Sequence, residues 1–384
     1  MPYPSLNFTT EQMQMRDSVH ALLSEKLPPE KLQKLDETYG DPTEAYSALA
    51  KSGWLGLMFT EDNGGFGGSF RDMAVLIEIL GFHSLSIATA YQCSTVFGGS
   101  YIQNFGSEEM RREYIPKVIS GDIRLAIAYT EPQAGSDVAG IRTRAVRDGD
   151  DYVINGQKCY ISCAHVANYI AVAVKTDPDA GRKGISMVLV DTRLDGLNIR
   201  PMKSLGRHAS QINQIFFDDL RVPAEMLIGE ENAAWHMMMK SLNFERLVLS
   251  AGSAGVCMKA IHVAKNFVEN REAFGHNIMD FQAVSHKLAE MQILAHTSRL
   301  HTYHVAELMD AGENPIMETS VAKTYTTEAM AKCTDVGLQA MGGQGYVAGE
   351  MERIFRDARL GPIGGGTSEI MRNVIAWKMM DLYP

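Results

Sequence analysis

From residue 9 to about 119, apolar side chains recur at three- and four-residue intervals, the spacing that lays one greasy face along a helix. Met13, Val19, Leu22 and Leu23 mark a first helix that Thr10 is placed to cap. Further helices are predicted over 73–80, 87–104 and 107–118. Between about 122 and 230 the period shortens to two. Runs rich in β-branched and aromatic residues at 151–154, 169–175, 185–190, 197–201 and 212–217 read as strands, with Asp148-Gly149 and Asn155-Gly156 as turns between them. The strands follow one another without intervening helices, so a doubly wound nucleotide-binding sheet is not expected. From 231 the helical period returns over 231–273, 282–311 and 315–340, with a last helix from Thr367.

The pattern therefore predicts an α+β chain in three parts: an N-terminal α-helical domain over 1–121, a middle β domain, β-barrel-like, over 122–230, and a C-terminal four-helix bundle over 231–384. The glycine run Asn63-Gly64-Gly65-Phe66-Gly67-Gly68 lacks the Lys-Ser/Thr of a phosphate loop and reads as a surface turn.

A net charge of −10 with no Lys/Arg cluster excludes a nucleic-acid-binding surface. The longest apolar runs, such as 169–174, are strand-sized, so no membrane span is expected. Met1-Pro2-Tyr3-Pro4 lacks the basic-then-apolar order of a secretory signal. A cytoplasmic protein is expected, a mitochondrial matrix protein that has lost its transit peptide being the other reading. Five scattered cysteines read as reduced thiols. His296, His301 and His304 share a helix but have no Glu-x-x-His partner on a second one, so no metal site is expected.

One position breaks the helical pattern. Trp235, Met238, Leu242, Glu245, Leu249 and Val256 fall on one stripe, so Glu245 puts a carboxyl among apolar neighbours. Desolvation there raises its pKa toward the range in which a general base works at neutral pH. A carboxylate simply paired with a base from elsewhere in the fold is the alternative. Three glycine-containing segments interrupt the helices, at 271–275, 339–345 and 363–369. Their exposed N–H groups suit a phosphate, a flavin ring or a thioester oxygen, although glycine also ends helices for structural reasons alone.

Two segments make the sequence recognisable: Tyr129-Thr130-Glu131-Pro132-Gln133-Ala134-Gly135-Ser136-Asp137, and Ile154-Asn155-Gly156-Gln157-Lys158-Cys159-Tyr160-Ile161-Ser162. Together with Asn270-Arg271-Glu272-Ala273-Phe274-Gly275, Gln282, Gln339-Ala340-Met341-Gly342-Gly343 and Gly366-Thr367-Ser368-Glu369-Ile370, they resemble the acyl-CoA dehydrogenase family in the right order over nearly the whole chain.

The resemblance implies an FAD enzyme acting on an acyl-CoA. It assigns cofactor contacts to Ile127, Tyr129, Thr130, Gly135, Ser136, Tyr160, Ser162, Thr367 and Glu369. Gln282 is implied as a further cofactor contact, and Arg271, Phe274, Gln339, Gly342 and Gly343 are implied to reach a neighbouring subunit's FAD, which makes a homo-oligomer, a tetramer, the expected state. Substrate contacts are implied for Ser136, Tyr91, Asn243 and Arg246. Asn243 stands where the family commonly has an acidic residue, and Tyr160 where it usually has Trp.

Most members of the family carry the catalytic Glu just before the last Gly-Thr, and here that position is Gly365. Its N–H is kept and can still bond the thioester carbonyl. An isovaleryl-CoA-like branch takes its base from the helix after the β domain, at the position of Glu245. Loss at Gly365 and gain at Glu245 together favour Glu245 as base. The implied reaction is α,β-dehydrogenation of a short or branched acyl-CoA, with electrons passing to an electron-transfer flavoprotein. An enoyl-CoA reductase, other diverted acyl-CoA chemistry, or a non-catalytic subunit on the same scaffold are the alternatives.

Overall fold

The computed structural model describes residues 6–382. Its first part is built from α1 (Thr10–Lys26), α2 (Pro29–Thr38), α3 (Thr43–Lys51), α4 (Phe70–His83), α5 (Leu85–Tyr91), α6 (Ser100–Phe105) and α7 (Glu108–Ser120). Thr9 rather than Thr10 caps α1: its hydroxyl accepts from the Gln12 N–H, and the Gln12 side chain accepts from the Thr9 N–H in return. The helix expected over 87–104 is one continuous rod whose middle, Gln92–Gly99, is wound as a π-helix. There the bare backbones of Gly98 and Gly99 lie against Leu125 and Phe59. The glycine run at 63–68 is a turn whose N–H groups bond backbone carbonyls of residues 56–61, which leaves no cradle for a phosphate.

The middle part is an eight-stranded sheet folded around its own core. β1 (Leu125–Ala128) runs parallel to β4 (Tyr169–Lys175), which continues antiparallel to β5 (Ile185–Asp191) and β8 (Leu227–Ile228). The other half is β2 (Arg144–Asp148), β3 (Asp151–Ser162), β7 (Ile212–Pro223) and β6 (Leu197–Met202), joined to the first where Arg144 pairs with Lys175. Ile154, Ile161, Val172, Val188, Ile215 and Val222 fill the space between the halves. The opposite face of β4 and β5 packs Ala171, Met187 and Leu189 onto Tyr101, Ile115 and Met237 of the flanking helices.

Asp148-Gly149 is the start of the β2–β3 hairpin turn, as expected. Asn155-Gly156 is not a turn: β3 runs straight through it, and the pairing with β7 skips a residue there. A bulge and a turn ask for the same residues, and the long partner strand β7 decides between them.

The last part comprises α8 (Ala234–Val268), the short strands β9 (Glu272–Ala273) and β10 (His276–Asn277), α9 (Gln282–Asp310), α10 (Ile316–Met341), α11 (Gly343–Tyr346), α12 (Glu350–Ala358) and α13 (Ser368–Leu382). The helix expected to reach 273 stops at Val268, because Phe274 and Gly275 both take positive φ and turn the chain into a hairpin. α8 is long and apolar enough to cross a membrane, but 78% of its most apolar stretch is buried inside the protein, so it is a core helix. It is wedged against α4 by glycine. A β-carbon on Gly255 would sit 2.0 Å from the Glu78 carbonyl oxygen, and one on Gly81 would sit 2.3 Å from that of Gly252. The two helix backbones therefore touch, locking the helix that carries Glu245 to the N-terminal part.

Candidate active site

α8, the π-wound segment, the ends of β1 and β3, and the loop before α13 enclose one cleft. Glu245 and Leu249 line it from α8, Gln92, Cys93 and Phe97 from the π segment, and Gly364 and Gly365 from the loop. Ile127, Tyr129, Thr130, Tyr160 and Ser162 complete the wall on the sheet side.

Glu245 is buried and has no ion-pair partner among the described residues. Burial raises its pKa to about 7; the neighbouring Arg246 charge and the Tyr101 hydroxyl pull the other way and only partly offset it. Tyr101 donates to Glu245 Oε1 across a long 3.5 Å, and Tyr129 donates to the Tyr101 oxygen at 2.6 Å. Two phenols thus reach in series from the cleft wall to the carboxyl.

Gly365 has φ +66, and a β-carbon there would lie 2.3 Å from Leu249 Cδ1, one helical turn beyond Glu245. A side chain at this position collides with the helix that carries the carboxyl. Its N–H bonds no carbonyl among the described residues and is open to a ligand. The loop is pinned from below by Lys323, fully buried in α10, which donates to the carbonyls of Gly361 (3.1 Å) and Gly366 (2.5 Å). Burial and the nearby Arg246 lower the Lys323 pKa to about 8.

The sheet side is held by a buried ion pair. Lys158 Nζ lies 2.8 Å from Glu131 and also donates to the Tyr129 carbonyl at 2.9 Å. Glu131 accepts from the N–H groups of Arg142 and Thr143 as well. Burial works against ionisation of Glu131, but Lys158 and these N–H groups overcome it and bring its pKa down to about 2. The Cys159 N–H donates to the Thr130 carbonyl, so the two strand ends are fixed side by side.

This wall suits a flat heteroaromatic group. Tyr160 sits at φ +61 and is 58% exposed, and the hydroxyls of Thr130 and Ser162 have no protein partner among the described residues. An aromatic face and two unspent hydroxyls along one edge match the ring system of FAD.

The other expected site residues lie elsewhere. Tyr91 is fully buried, its hydroxyl donating to the Trp54 carbonyl at 2.9 Å, and does not reach the cleft. Gly135 and Ser136 are exposed on the loop after β1. Asn243 is bound to Asn314 at 2.6 Å, and Arg246 is buried with its Nε unpartnered. Thr367 accepts from the Ile370 N–H as the cap of α13, with Glu369 exposed beside it.

Arg271, Gln339, Gly342 and Gly343 meet in a second groove past the far end of α8, roughly 35 Å along the helix from Glu245. Phe274, 93% exposed, is at the tip of the adjoining hairpin, and Gln282 opens α9 beyond it. Tyr101, Lys158, Lys323 and Arg207 were not singled out from the sequence as site residues. Only the ion pair left a trace there, a Glu and a Lys inside the two strand segments quoted above.

A buried carboxyl that ionises near neutrality, faced by an open backbone N–H and a wall fitted to a flavin, defines an oxidoreductase that removes a proton beside a carbonyl. Comparison with known proteins narrows this. The N-terminal, middle and C-terminal domains of acyl-CoA dehydrogenase match residues 9–122, 126–220 and 232–380. The chain is 32% identical to the short/branched chain specific acyl-CoA dehydrogenase of Bos taurus, over 97% of this chain and 86% of that one. It is equally 32% identical to CarC, a subunit of the caffeyl-CoA reductase-Etf complex of Acetobacterium woodii, over 97% and 99%. The crystal structure of acyl-CoA dehydrogenase from Geobacillus kaustophilus superposes with a TM-score of 0.92 at 32% identity, over 97% and 99%. The chain belongs to the acyl-CoA dehydrogenase family, and FAD is its cofactor.

Proposed function

We propose that the chain oxidises a short or branched acyl-CoA to its 2-enoyl-CoA, with Glu245 as the base, and passes the electrons to an electron-transfer flavoprotein. The observation that carries this is the Glu245 carboxyl, buried with a pKa of about 7 in the same cleft as the open Gly365 N–H. The thioester carbonyl accepts from that N–H, which favours the negative charge that builds on the oxygen as the α-proton leaves. Glu245 takes the proton. Bound FAD would supply the two-electron acceptor that the departing β-hydrogen requires. Thr130, Tyr160 and Ser162 hold the cofactor, and the Lys158–Glu131 pair keeps their strands in place.

The acyl class is supported by the short/branched chain relative, and the electron acceptor by the Etf complex to which CarC belongs. CarC is named a reductase, so the reverse direction on the same residues is the second reading. The test is anaerobic mixing of the FAD-loaded protein with short, branched and medium acyl-CoAs, followed by visible absorbance. Bleaching by one of them in wild type and not in Glu245→Gln supports the reading. Bleaching at the same rate in both removes Glu245 as base. Failure of every saturated thioester, with re-oxidation of chemically reduced protein by a 2-enoyl-CoA, gives the reductase.

A further inference from the structure

Arg207 lines the same cleft and has no part in the reaction described above. It sits at φ +56 in a loop tied on three sides. His208 pairs with Asp36 of α2 at 3.3 Å, the Arg207 N–H donates to the Asp357 carboxylate of α12, and the Ser210 carbonyl accepts from the Cys163 N–H after β3. The side chain is anchored only at Nε, which donates to the Asp357 main-chain oxygen at 3.2 Å. The two terminal nitrogens bond nothing among the described residues, and no carboxylate lies within ion-pair distance of the guanidinium. The Arg207 side chain is fixed to Asp357 of α12, while the Glu245 carboxyl accepts from Tyr101 of α6. Arg207 and Glu245 therefore reach the cleft from different elements of the fold.

A rigidly held guanidinium with both terminal groups unspent in a substrate cleft offers a planar fork of donors, which matches a carboxylate. We propose that Arg207 is a specificity residue that pairs with a carboxylate carried by the acyl chain away from the thioester, so that the substrate class is the mono-CoA thioester of a short dicarboxylic acid. This rests on the reading of the cleft as an acyl-CoA site. It narrows the short acyl class to chains that end in an anion. Thr89 and Gln92 line the same cleft, the Gln92 amide nitrogen donating to the Val248 carbonyl at 3.3 Å, and polar side chains there suit such a chain better than a purely alkyl one.

The experiment uses FAD-loaded Glu245→Gln, so that binding is read without turnover from the shift of the flavin absorbance on titration. The probes are matched pairs of four to six carbons, such as glutaryl-CoA against pentanoyl-CoA, which differ in a terminal carboxylate against a methyl. At one chain length the carboxylated thioester is expected to bind at least about tenfold tighter, as a charge-assisted bond gives. That ratio falls toward one in Arg207→Met and lies between in Arg207→Lys, which keeps the charge and loses the fork. Salt at high concentration narrows the wild-type ratio as well.

The proposal is overturned if no carboxylated probe binds better than its alkyl partner, or if the ratio survives Arg207→Met. It is also overturned if Arg207→Met loses FAD while the ratio is kept, since Arg207 then serves the cofactor. If neither member of any pair perturbs the flavin, the acyl-CoA reading of the cleft fails and takes this inference with it.

Discussion

Glu245→Gln should make the protein inactive and, at alkaline pH, more stable. The folded protein raises the Glu245 pKa from the ordinary 4.5 to about 7, chiefly by burial. A carboxyl held above its unfolded value favours the folded state when protonated. That contribution is complete below about pH 4.5 and is lost as pH rises through about 7. The difference amounts to about 3 kcal/mol at pH 8. Glutamine keeps the shape, can still accept from Tyr101, and never ionises, so it escapes the loss. Urea unfolding followed by far-UV circular dichroism, with FAD at one fixed excess, measures the gap between variant and wild type. It should be under about 1 kcal/mol near pH 5 and reach about 3 kcal/mol by pH 8.5, with equal slopes in urea. A gap that does not change between these two pH values would refute the argument, because Glu245 would then ionise as if in water.

Three further outcomes follow from the same contacts. Tyr101→Phe removes the hydroxyl that stabilises the charged form of Glu245, so the rising limb of kcat/KM against pH should move up by several tenths of a unit, and an unmoved limb would show that the 3.5 Å contact carries no energy. Gly365→Ala puts a β-carbon against Leu249 at positive φ; activity should fall by about tenfold or more and recover in part in the double variant with Leu249→Ala, as measured by kcat/KM. Glu131→Gln leaves Lys158 buried without its counter-charge and should cost about 3–5 kcal/mol in urea unfolding, more than the double change of both residues to methionine.

Periodicity carried much of the architecture. Long helices and alternating strands repeat their signal over many residues, and Glu245 was legible because a carboxyl inside a greasy stripe contradicts its surroundings. In the folded chain α8 is buried on almost every side around residues 241–258, so the stripe is part of a wholly buried stretch. Short features escaped. The β9–β10 hairpin has two residues per strand, too few to show a period, and its turn looks like a helix end. Tyr101 meets Glu245 across 144 positions of sequence, and Lys323 meets the Gly361 and Gly366 carbonyls across 38 and 43. Such contacts are made by packing between elements, and nothing in the local pattern around either partner announces them. Tyr91 shows the converse: a polar side chain on the right helix whose hydroxyl finds a backbone carbonyl inside the core.

The contact between α4 and α8 has a consequence for how the enzyme tolerates change. At Gly81 and Gly255 the atoms that an added methyl group would strike belong to the opposite main chain, which has no rotamer to change and nowhere to retreat. Either substitution would pry the two rods apart and carry Glu245 away from the loop at Gly365. In a saturation scan scored only by turnover, these two positions should stand beside Glu245 itself among the least permissive in the protein, although neither has a functional group to contribute.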